Sequence, residues 1–458
     1  MIDISRHFFP LSFLKKQVDV LAHYKVNRLH LHLTDAGGWR MQIDRYPELT
    51  KKAAWRTESD WTKWWIDNDR RYMREGDPGA YGGYYTKDEM RELVAYAAKK
   101  GITVVPEIEM PGHSEELTAA CPQLKCEGNQ EAQGDVCPSS ETTYAVLHNI
   151  LDEVMEVFPS KWIHIGGDEA GKGSWGSCPN CQRKARLLGL RSTADLQGYL
   201  IQRIAAYLRL EGREAIGWDE VLDDSLAAHA PSLGENVNVM VWRDIKAAQR
   251  AMRRGHNVIG DAGDYYLDRY QDAPPTEPFA GGSYQPLRNL WNFDPAPYSG
   301  DGFTGRVLGV QGNLWTEYIK TEDYAEYMLY PRELAIAEVG WSGRSRSYEE
   351  RIRGAECCRR GAVSVAGRAA CPGFRPQTGE GRPQGEAEAR APSGCRGRSD
   401  LSPALLAVVC GTGRRHADRR DVWRMVIWRR PLAGIHAASR HDGGSLRHHH
   451  RPGRGETV

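Results

Sequence analysis

Eight short apolar runs, each followed by a longer amphipathic segment, are the feature of this chain that most limits what it can fold into. The runs have the length of buried strands, and the segments between them repeat apolar residues every three and four positions, which predicts helices. A capping box at Thr86 and Glu89 begins one helix and Gly101 ends it, while the last helix is predicted over Tyr324–Val339. This alternation predicts an α/β fold, a (β/α)8 TIM barrel. The predicted strands are Ile2–Ile4, Arg28–Leu33, Thr103–Ile108, Trp162–Gly166, Glu214–Trp218, Val237–Trp242, His256–Gly260 and Val307–Gln311.

The chain changes character near residue 350. From Arg351 to the end it holds 21 arginines, no lysine and 9 acidic residues, a net charge of +12 in a chain whose total is +1. Neither helical nor strand periodicity persists there. We therefore expect a barrel domain over residues 1–345 and a tail over residues 346–458 that is disordered or translated in a shifted reading frame. The arginines do not cluster on a helix with interleaved aromatic residues, so no nucleic-acid partner is predicted.

Membrane and export signals are the next features that the sequence addresses. No stretch approaches the roughly 20 apolar residues of a membrane helix, so no membrane partner is predicted. The amino terminus has no basic segment followed by an apolar run, so no signal peptide is predicted. The chain is then either cytosolic or begins downstream of its natural start, and its compartment and oligomeric state stay open.

Five cysteines of the first region lie in loop-like sequence: Cys121, Cys126, Cys137, Cys178 and Cys181. Cys178-Pro-Asn-Cys181 is the one close pair. A zinc ribbon needs a second such pair, which the sequence lacks. A redox pair should open a helix directly after a strand, and this one follows a loop rich in glycine and serine. We interpret the pair as a loop-pinning disulfide or as two unreactive thiols, and we predict no structural metal.

The polar residues that follow the predicted strands are the candidates for function. In (β/α)8 barrels the active site lies where strands end and the following loops begin. Asp168 and Glu169 are adjacent carboxylates at such a position, after two glycines. They would repel each other if both were ionised, so we expect at least one to be protonated or held by a partner. This pair is the strongest acid–base candidate in the sequence.

Aromatic and charged residues at other strand ends suit a sugar. The faces of Trp218, Trp242 and Trp315 can stack on the apolar C–H faces of a sugar ring. Charged side chains at further strand ends can hold ring hydroxyls by charge-assisted hydrogen bonds. These charged residues are Arg6, Asp268 and Glu317. Together the residues predict a sugar-binding site.

Histidines within the strands allow a competing interpretation, a metal-dependent barrel hydrolase. His30 and His32 share one face of a strand, and with His164 and Asp168 they imitate a metal site. A histidine inside a strand is more often a core residue that is hydrogen-bonded to the backbone. This interpretation is therefore the weaker of the two.

Seven motifs occur in register along the first region: Asp3-Ile-Ser-Arg6-His7-Phe8; His32-Leu-Thr-Asp35 with Gly38-Trp39-Arg40; Pro106-Glu-Ile-Glu-Met-Pro-Gly-His113; His164-Ile-Gly-Gly-Asp168-Glu169; Gly217-Trp-Asp-Glu220; Tyr266-Leu-Asp268; and Leu314-Trp-Thr-Glu317. In order and spacing they resemble glycoside hydrolase family 20, the β-N-acetylhexosaminidases, over roughly residues 1–345. The resemblance implies an exo-acting enzyme that removes terminal N-acetylglucosamine or N-acetylgalactosamine from a glycan or chitooligosaccharide. It implies no metal and no cofactor.

The resemblance also implies a retaining mechanism in which the substrate takes part. In this family the 2-acetamido carbonyl of the sugar attacks the anomeric carbon and forms an oxazolinium intermediate, so no enzyme carboxylate is the nucleophile. Glu169 matches the general acid and later base, and Asp168 matches the residue that orients the acetamide and stabilises charge on its nitrogen. His113 and Asp35 resemble a supporting relay for the acid, although structural roles for them stay open.

The remaining site residues follow from the same resemblance. Tyr266 matches the residue that donates a hydrogen bond to the attacking carbonyl oxygen. Trp218, Trp242 and Trp315 would enclose the acetamide and the sugar ring. Hydroxyl groups of the ring would be bound by three charged residues, Arg6 at the 3- and 4-positions and Asp268 and Glu317 at the 4- and 6-positions. A non-catalytic sugar-binding barrel is the alternative from another functional class, and the natural glycan is not predicted.

Overall fold

The structure, a computed structural model, describes residues 1–67, 70–127, 134–223, 237–260, 265–271, 277–293 and 302–342. Eight strands form one parallel sheet and are neighbours in the order in which they follow one another along the chain. They are β1 (Ile2–Asp3), β2 (Arg28–His32), β3 (Thr103–Glu107), β4 (Trp162–His164), β5 (Glu214–Trp218), β6 (Val237–Val241), β7 (Val258–Gly260) and β8 (Val307–Val310). Ile2 also forms a parallel bridge with Leu314, just after β8, which joins the two edges of the sheet. The predicted (β/α)8 barrel is therefore confirmed.

Helices connect the strands. They are α1 (Leu11–His23), α2 (Glu48–Lys51), α3 (Lys87–Ala98), α4 (Glu115–Ala120), α5 (Glu141–Val157), α6 (Gly173–Ser177), α7 (Pro179–Leu187), α8 (Leu196–Leu210), α9 (Ile245–Arg253), α10 (Leu287–Trp291), α11 (Glu322–Leu329) and α12 (Arg332–Ser342). The predicted capping box is present: Glu89 N donates to Thr86 Oγ1 at 3.1 Å, and Thr86 N donates to Glu89 Oε2 at 2.8 Å. In the long connection after β2, Trp55–Arg56 pairs with Tyr81–Gly82 in a small antiparallel sheet.

The last predicted helix, Tyr324–Val339, is wrong in one respect, because the structure divides it into α11 and α12. The division falls at Pro331, which has no amide N–H to donate and whose ring would clash with the preceding turn of a continuous helix. The buried guanidinium of Arg332, at the start of α12, contacts both α11 and the segment after β7. It donates hydrogen bonds to the carbonyl oxygens of Met328 and Arg269, at 3.1 and 2.8 Å.

Two apolar clusters position the site. The larger one lies between the strands and the buried faces of the helices, where α1 contributes an apolar stripe at three- and four-residue spacing. The smaller one fills the barrel interior with side chains from four different strands: Val105, Ile216, Met240 and Ile259, together with Trp218. Because alternate residues of a barrel strand point inward, this layer forms a packed floor beneath the strand ends.

The predicted tail over residues 346–458 lies outside the described residues. Within the part of the chain that the structure describes, no helix has both the length and the apolar character that a membrane span requires.

Candidate active site

The loops that follow β3 and β4 approach each other through unusual backbone conformations. His113 and Glu169 have φ angles of +49° and +43°, in the left-handed region that residues other than glycine rarely adopt and that is frequent at functional sites. Gly166, two residues before Asp168, has φ of +64°, and a Cβ atom there would lie 1.8 Å from Oε2 of Glu109. Glycine is therefore required at this position.

His113 lies between the carboxyl groups of Asp168 and Glu169. Its Nε2 atom is 3.6 Å from Oδ2 of Asp168 and 3.4 Å from Oε2 of Glu169. The two carboxyl groups differ in exposure, since 12% of the Asp168 side chain but 58% of the Glu169 side chain is accessible. The site thus combines one buried and one accessible carboxyl group with a shared imidazole.

A chain of ionic contacts extends from His113 toward β1 and β8. The Nδ1 atom of His113 is 3.4 Å from Oδ2 of Asp35. The same oxygen lies 2.6 Å from Nη2 of Arg6 and 3.0 Å from Nε2 of His32. Arg6 Nη2 is also 3.8 Å from Oε1 of Glu317. Four predicted site residues are therefore connected with the carboxylate pair in one network.

Burial and neighbouring charges set the protonation of this network. Burial raises the pKa of Asp168 to about 7, although His113 opposes the change. The hydrogen bond with His113 lowers the pKa of Glu169. Burial alone would lower the pKa of His113, but the carboxylates of Asp35 and Asp168 raise it well above its ordinary value. Near neutral pH the site then holds an imidazolium beside an ionised Glu169 and a partly protonated Asp168, and burial contributes more to the protonation of Asp168 than repulsion by Glu169 does.

Three tryptophans lie at the same end of the barrel. The rings of Trp218 and Trp315 are 5.8 Å apart, with Trp218 fully buried and Trp315 half-buried. Trp242 packs against the same inner cluster and donates from Nε1 to Oε2 of Glu220 at 2.8 Å. The guanidinium of Arg6 lies 5.0 Å from the ring centre of Trp315. Aromatic faces and charged groups therefore line one mouth of the barrel.

Asp268 and Tyr266 lie in the segment after β7. Arg269 donates from Nη1 to Oδ2 of Asp268 at 2.7 Å, and its guanidinium is 5.1 Å from the ring centre of Tyr266. The backbone of Tyr266 forms a bridge with Asn313, just after β8. Burial raises the pKa of Asp268 to about 7. Tyr266, Asp268 and Trp242 thus come from the β6 to β8 side of the barrel, and the ionic network comes mainly from β1 to β4.

Comparison with known proteins decides the family. The model of "Glycosyl hydrolase family 20, catalytic domain" matches residues 1–344. The chain belongs to glycosyl hydrolase family 20. The resemblance seen in the sequence motifs is therefore confirmed.

Several family 20 proteins are similar to this chain. A beta-hexosaminidase of Porphyromonas gingivalis is 38% identical over 353 residues, which are 75% of this chain and 42% of that protein. A beta-hexosaminidase of Vibrio furnissii is 36% identical over 355 residues, 74% of this chain and 56% of that protein. The crystal structure of an exo β-N-acetylglucosaminidase from Vibrio harveyi, in complex with N-acetylglucosamine, has a TM-score of 0.67 at 30% identity and covers 78% of this chain and 56% of that one. The chain thus spans about half the length of the curated relatives named here.

Glu107 is a buried residue of the candidate site to which sequence reasoning gave no role. Its carboxylate accepts a hydrogen bond from Trp218 Nε1 at 2.9 Å. It also lies 3.0, 2.5 and 2.6 Å from ring nitrogens of His30, His32 and His164. The signal was present in the sequence, as two histidines on one face of β2 beside an acidic residue at the end of β3. Sequence reasoning interpreted such histidines as core residues bonded to the backbone, with metal ligands as the weaker alternative, whereas in the structure all three face one carboxylate.

Glu109 and Glu220 are two further acidic residues near Asp168 that sequence reasoning gave no role. Burial raises the pKa of Glu109 well above its ordinary value and that of Glu220 to about 8. Each is electrostatically connected with Asp168: charge on Glu220 raises the pKa of Asp168, and charge on Asp168 raises the pKa of Glu109. Their positions in the sequence could have indicated a role, because each follows a strand of the barrel.

Proposed function

We propose that this chain is an exo-acting β-N-acetylhexosaminidase, which hydrolyses terminal N-acetylglucosamine or N-acetylgalactosamine from the non-reducing end of glycans or chitooligosaccharides. The observation that carries the proposal is the Asp168 and Glu169 pair, which shares the imidazole of His113 at the mouth of a family 20 barrel. The names of the similar proteins, and the N-acetylglucosamine in the Vibrio harveyi complex, support the choice of sugar. They also favour a glycosidase over a metal-dependent hydrolase or a non-catalytic barrel.

The proposed reaction has two steps and retains the anomeric configuration. First, the acetamide carbonyl oxygen of the substrate forms a bond to the anomeric carbon while the bond to the leaving oxygen breaks, and Glu169 gives its proton to that oxygen. The product of this step is an oxazolinium ion. Water then attacks the anomeric carbon, Glu169 takes a proton from the water, and the carbonyl oxygen is released.

Asp168 would hold the acetamide N–H and stabilise the positive charge that develops on that nitrogen. Its oxygen Oδ1 is buried and has no hydrogen-bond partner among the described residues. A buried oxygen without a donor is costly, and a substrate N–H would supply the donor. The charge on the intermediate would also favour the ionised form of Asp168, whose pKa is about 7 in the free site.

Glu169 must carry a proton to act as the acid, although His113 lowers its pKa in the free site. A bound sugar would cover this exposed side chain, and removing a carboxylate from water raises its pKa. Substrate binding itself would thereby prepare the acid. The relay from Asp35 through His113 would hold the carboxyl group in place during both steps.

The rest of the proposed site fixes the terminal sugar. Trp218, Trp242 and Trp315 would enclose the acetamide methyl group and the ring, while Tyr266 donates to the attacking carbonyl oxygen. Oδ1 of Asp268 is a second buried oxygen without a partner among the described residues and would accept a sugar hydroxyl. Two charged residues on the other side, Arg6 and Glu317, would hold the remaining hydroxyls. No step in this scheme uses a metal or cofactor.

The test compares hydrolysis of an aryl β-N-acetylglucosaminide with that of the matching aryl β-glucoside, both in the presence of a chelator. Turnover of the first substrate alone is the expected result, because only that sugar carries the acetamide. Equal rates would overturn the substrate-assisted mechanism in favour of an enzyme nucleophile. Binding of N-acetylglucosamine by folded protein without turnover of either substrate would overturn the enzymatic proposal.

A further inference from the structure

Four cysteines from two different loops meet at one buried point. Cys126 and Cys137 lie between α4 and α5, after β3, whereas Cys178 and Cys181 lie at the start of α7, after β4. Their four Sγ atoms all lie within 4.8 Å of one another. The separations from Cys181 Sγ are 3.8 Å to Cys126 Sγ and 3.6 Å to Cys137 Sγ.

These separations fit a tetrahedral metal site and do not fit disulfides. A disulfide requires about 2.05 Å between sulfur atoms, and the cysteines of the described residues are all free. In a tetrahedral zinc site with Zn–S bonds of about 2.3 Å, simple geometry places neighbouring sulfur atoms about 3.8 Å apart. The two sulfur separations at Cys181 lie close to that value.

The surroundings of the cluster also suit a closed structural site. None of the four cysteines is more than 3% exposed, and Trp175, Ala185 and Leu196 pack around them. Ser139 Oγ, near Cys137 and Cys181, is a polar neighbour. Four buried thiols offer few good hydrogen bonds, whereas four thiolates are a preferred ligand set for Zn²⁺.

The local sequence prepares two of the four ligands. Cys178 is the N-cap of α7, Pro179 is its first residue, and Cys181 is its third residue, in the same first turn. Proline is favoured in this position because it has no N–H to leave unpaired. The second pair escaped sequence reasoning because Cys126 and Cys137 are too far apart in sequence to form a Cys-x-x-Cys motif, and only the fold brings them to the first pair.

We propose that Cys126, Cys137, Cys178 and Cys181 bind one structural Zn²⁺ ion as thiolates. The metal replaces the thiol protons, which pass to the solvent, and no oxidation takes place. With four protein ligands the ion has no open position for a substrate. The site is thus separate from the proposed glycosidase chemistry, and it differs from the sequence-based expectation of no metal.

The ion would join the two loops that carry the candidate catalytic residues. His113 precedes the first pair of cysteines, and Glu169 precedes the second. A carboxylate already links the same loops, because Asp135 accepts hydrogen bonds from Gly171 N at 3.0 Å and Lys172 N at 2.6 Å. Trp175 Nε1 also donates to Val136 O at 3.1 Å across these loops, and the zinc site would add bonds to metal to these hydrogen bonds.

The test measures zinc in the full chain, purified from medium that contains zinc and without added chelator. We expect an equimolar amount of zinc by inductively coupled plasma mass spectrometry, and its stoichiometric release when an organomercurial titrates the thiols. Cys181→Ser should lose the zinc. Cys121→Ser is the matched control and should keep it, because Cys121 is also buried but belongs to a different cluster.

Three results would overturn the proposal. One is wild-type protein without zinc above the buffer background, or with iron in its place. Another is a disulfide between any two of the four cysteines in a peptide map of the non-reduced protein. The third is Cys181→Ser protein that retains the wild-type amount of zinc. If Cys181→Ser does not fold, Cys181→His supplies a substitute ligand and should retain zinc. None of these measurements depends on glycosidase activity.

Discussion

Nε2 of His113 lies 3.4 Å from Oε2 of Glu169, although the two residues belong to loops that follow different strands. Both residues have left-handed backbones, so each end of this contact lies in a conformation that residues other than glycine rarely adopt. The contact fixes the direction of the Glu169 carboxyl group while leaving it exposed to a ligand. A general acid needs both conditions, a defined position and access to the leaving oxygen.

Replacing Glu169 by glutamine should lower kcat/KM, which reports the first step, in a manner that depends on the leaving group. The amide keeps the size of the side chain but cannot give a proton. For an aryl leaving group of high pKa we expect a loss of about 10²-fold to 10⁴-fold, the usual contribution of a general acid. For dinitrophenol the first step should be much less affected, since that group leaves without protonation. The control is Glu211→Gln, at an exposed position at the end of α8.

Equal losses on both leaving groups would contradict the assignment of Glu169 as the acid. Such a result would indicate that the variant had changed the binding of the sugar or the structure of the loop.

Replacing Asp35 by asparagine should add an ionisation to the pH profile. Asp35 is the first of three carboxylates that raise the pKa of His113, the others being Asp168 and Glu169, so its loss should return that pKa toward about 6.5. Above the new pKa the imidazole is neutral and no longer favours the ionised form of Glu169. We expect kcat/KM of the variant to change near neutral pH, where the wild type has no ionisation of His113.

Asp60→Asn is the control for this profile. Asp60 forms an ion pair with Lys320, with 2.9 Å between Oδ2 and Nζ, and this pair is not part of the relay. Profiles of identical shape for Asp35→Asn and the wild type would show that Asp35 has a structural role alone. A higher KM without a new ionisation would lead to the same conclusion, since Asp35 also holds Arg6.

The sequence predicted the barrel well because local pattern and burial agree along it. Glu214–Trp218 is a strand with the same limits in the prediction and in the structure. The prediction of one continuous helix over Tyr324–Val339 failed at Pro331. The apolar residues keep their helical spacing across the proline, so the spacing alone did not show that the helix is interrupted there.

The residues of the candidate site could be named from the sequence, but the contacts between them could not be predicted from it. Asp168 and Glu169 are neighbours in sequence, so their repulsion was visible before the fold was known. The residues that contact Glu107 come from several strands. How many histidines reach its carboxylate depends on the register between those strands, which the sequence does not show. The roles assigned to the site residues stay predictions until variants are measured.

Replacing Arg40 by lysine should destabilise the barrel strongly. Arg40 is completely buried, and its guanidinium donates to carbonyl oxygens of Ile4, Ala54 and Gly83 at 3.0, 2.7 and 2.8 Å. A lysine ammonium is a single centre and cannot reach all of these acceptors. If the ammonium keeps one of the three acceptors, two are left unpaired, and we expect the free energy of unfolding to fall by about 2 kcal/mol, roughly 1 kcal/mol for each.

Thermal or urea unfolding followed by circular dichroism measures this change. Arg45→Lys is the control, because half of the Arg45 side chain is exposed and its ion pair with Asp152 lies at the surface. A destabilisation of Arg40→Lys no larger than that of Arg45→Lys would contradict the argument.

Replacing Asp268 by asparagine should stabilise the protein at alkaline pH and not at acidic pH. Burial raises the pKa of Asp268 from its ordinary value of 3.8 to about 7. Below the pKa of the unfolded chain this carboxyl group is neutral in both states, and its burial carries no charge penalty. As the pH rises through the pKa of the folded state, the buried group ionises and that advantage is lost. Asparagine stays neutral, so the two proteins should unfold alike near pH 4 and differ near pH 8. The rise of this pKa from 3.8 to about 7 already includes the opposing effect of Arg269. Since one pKa unit corresponds to about 1.4 kcal/mol, we expect a difference of up to about 4 kcal/mol. The measurement is the melting temperature at both pH values, and a variant that is less stable than the wild type at pH 8 would show instead that the ion pair with Arg269 outweighs the burial of the charge.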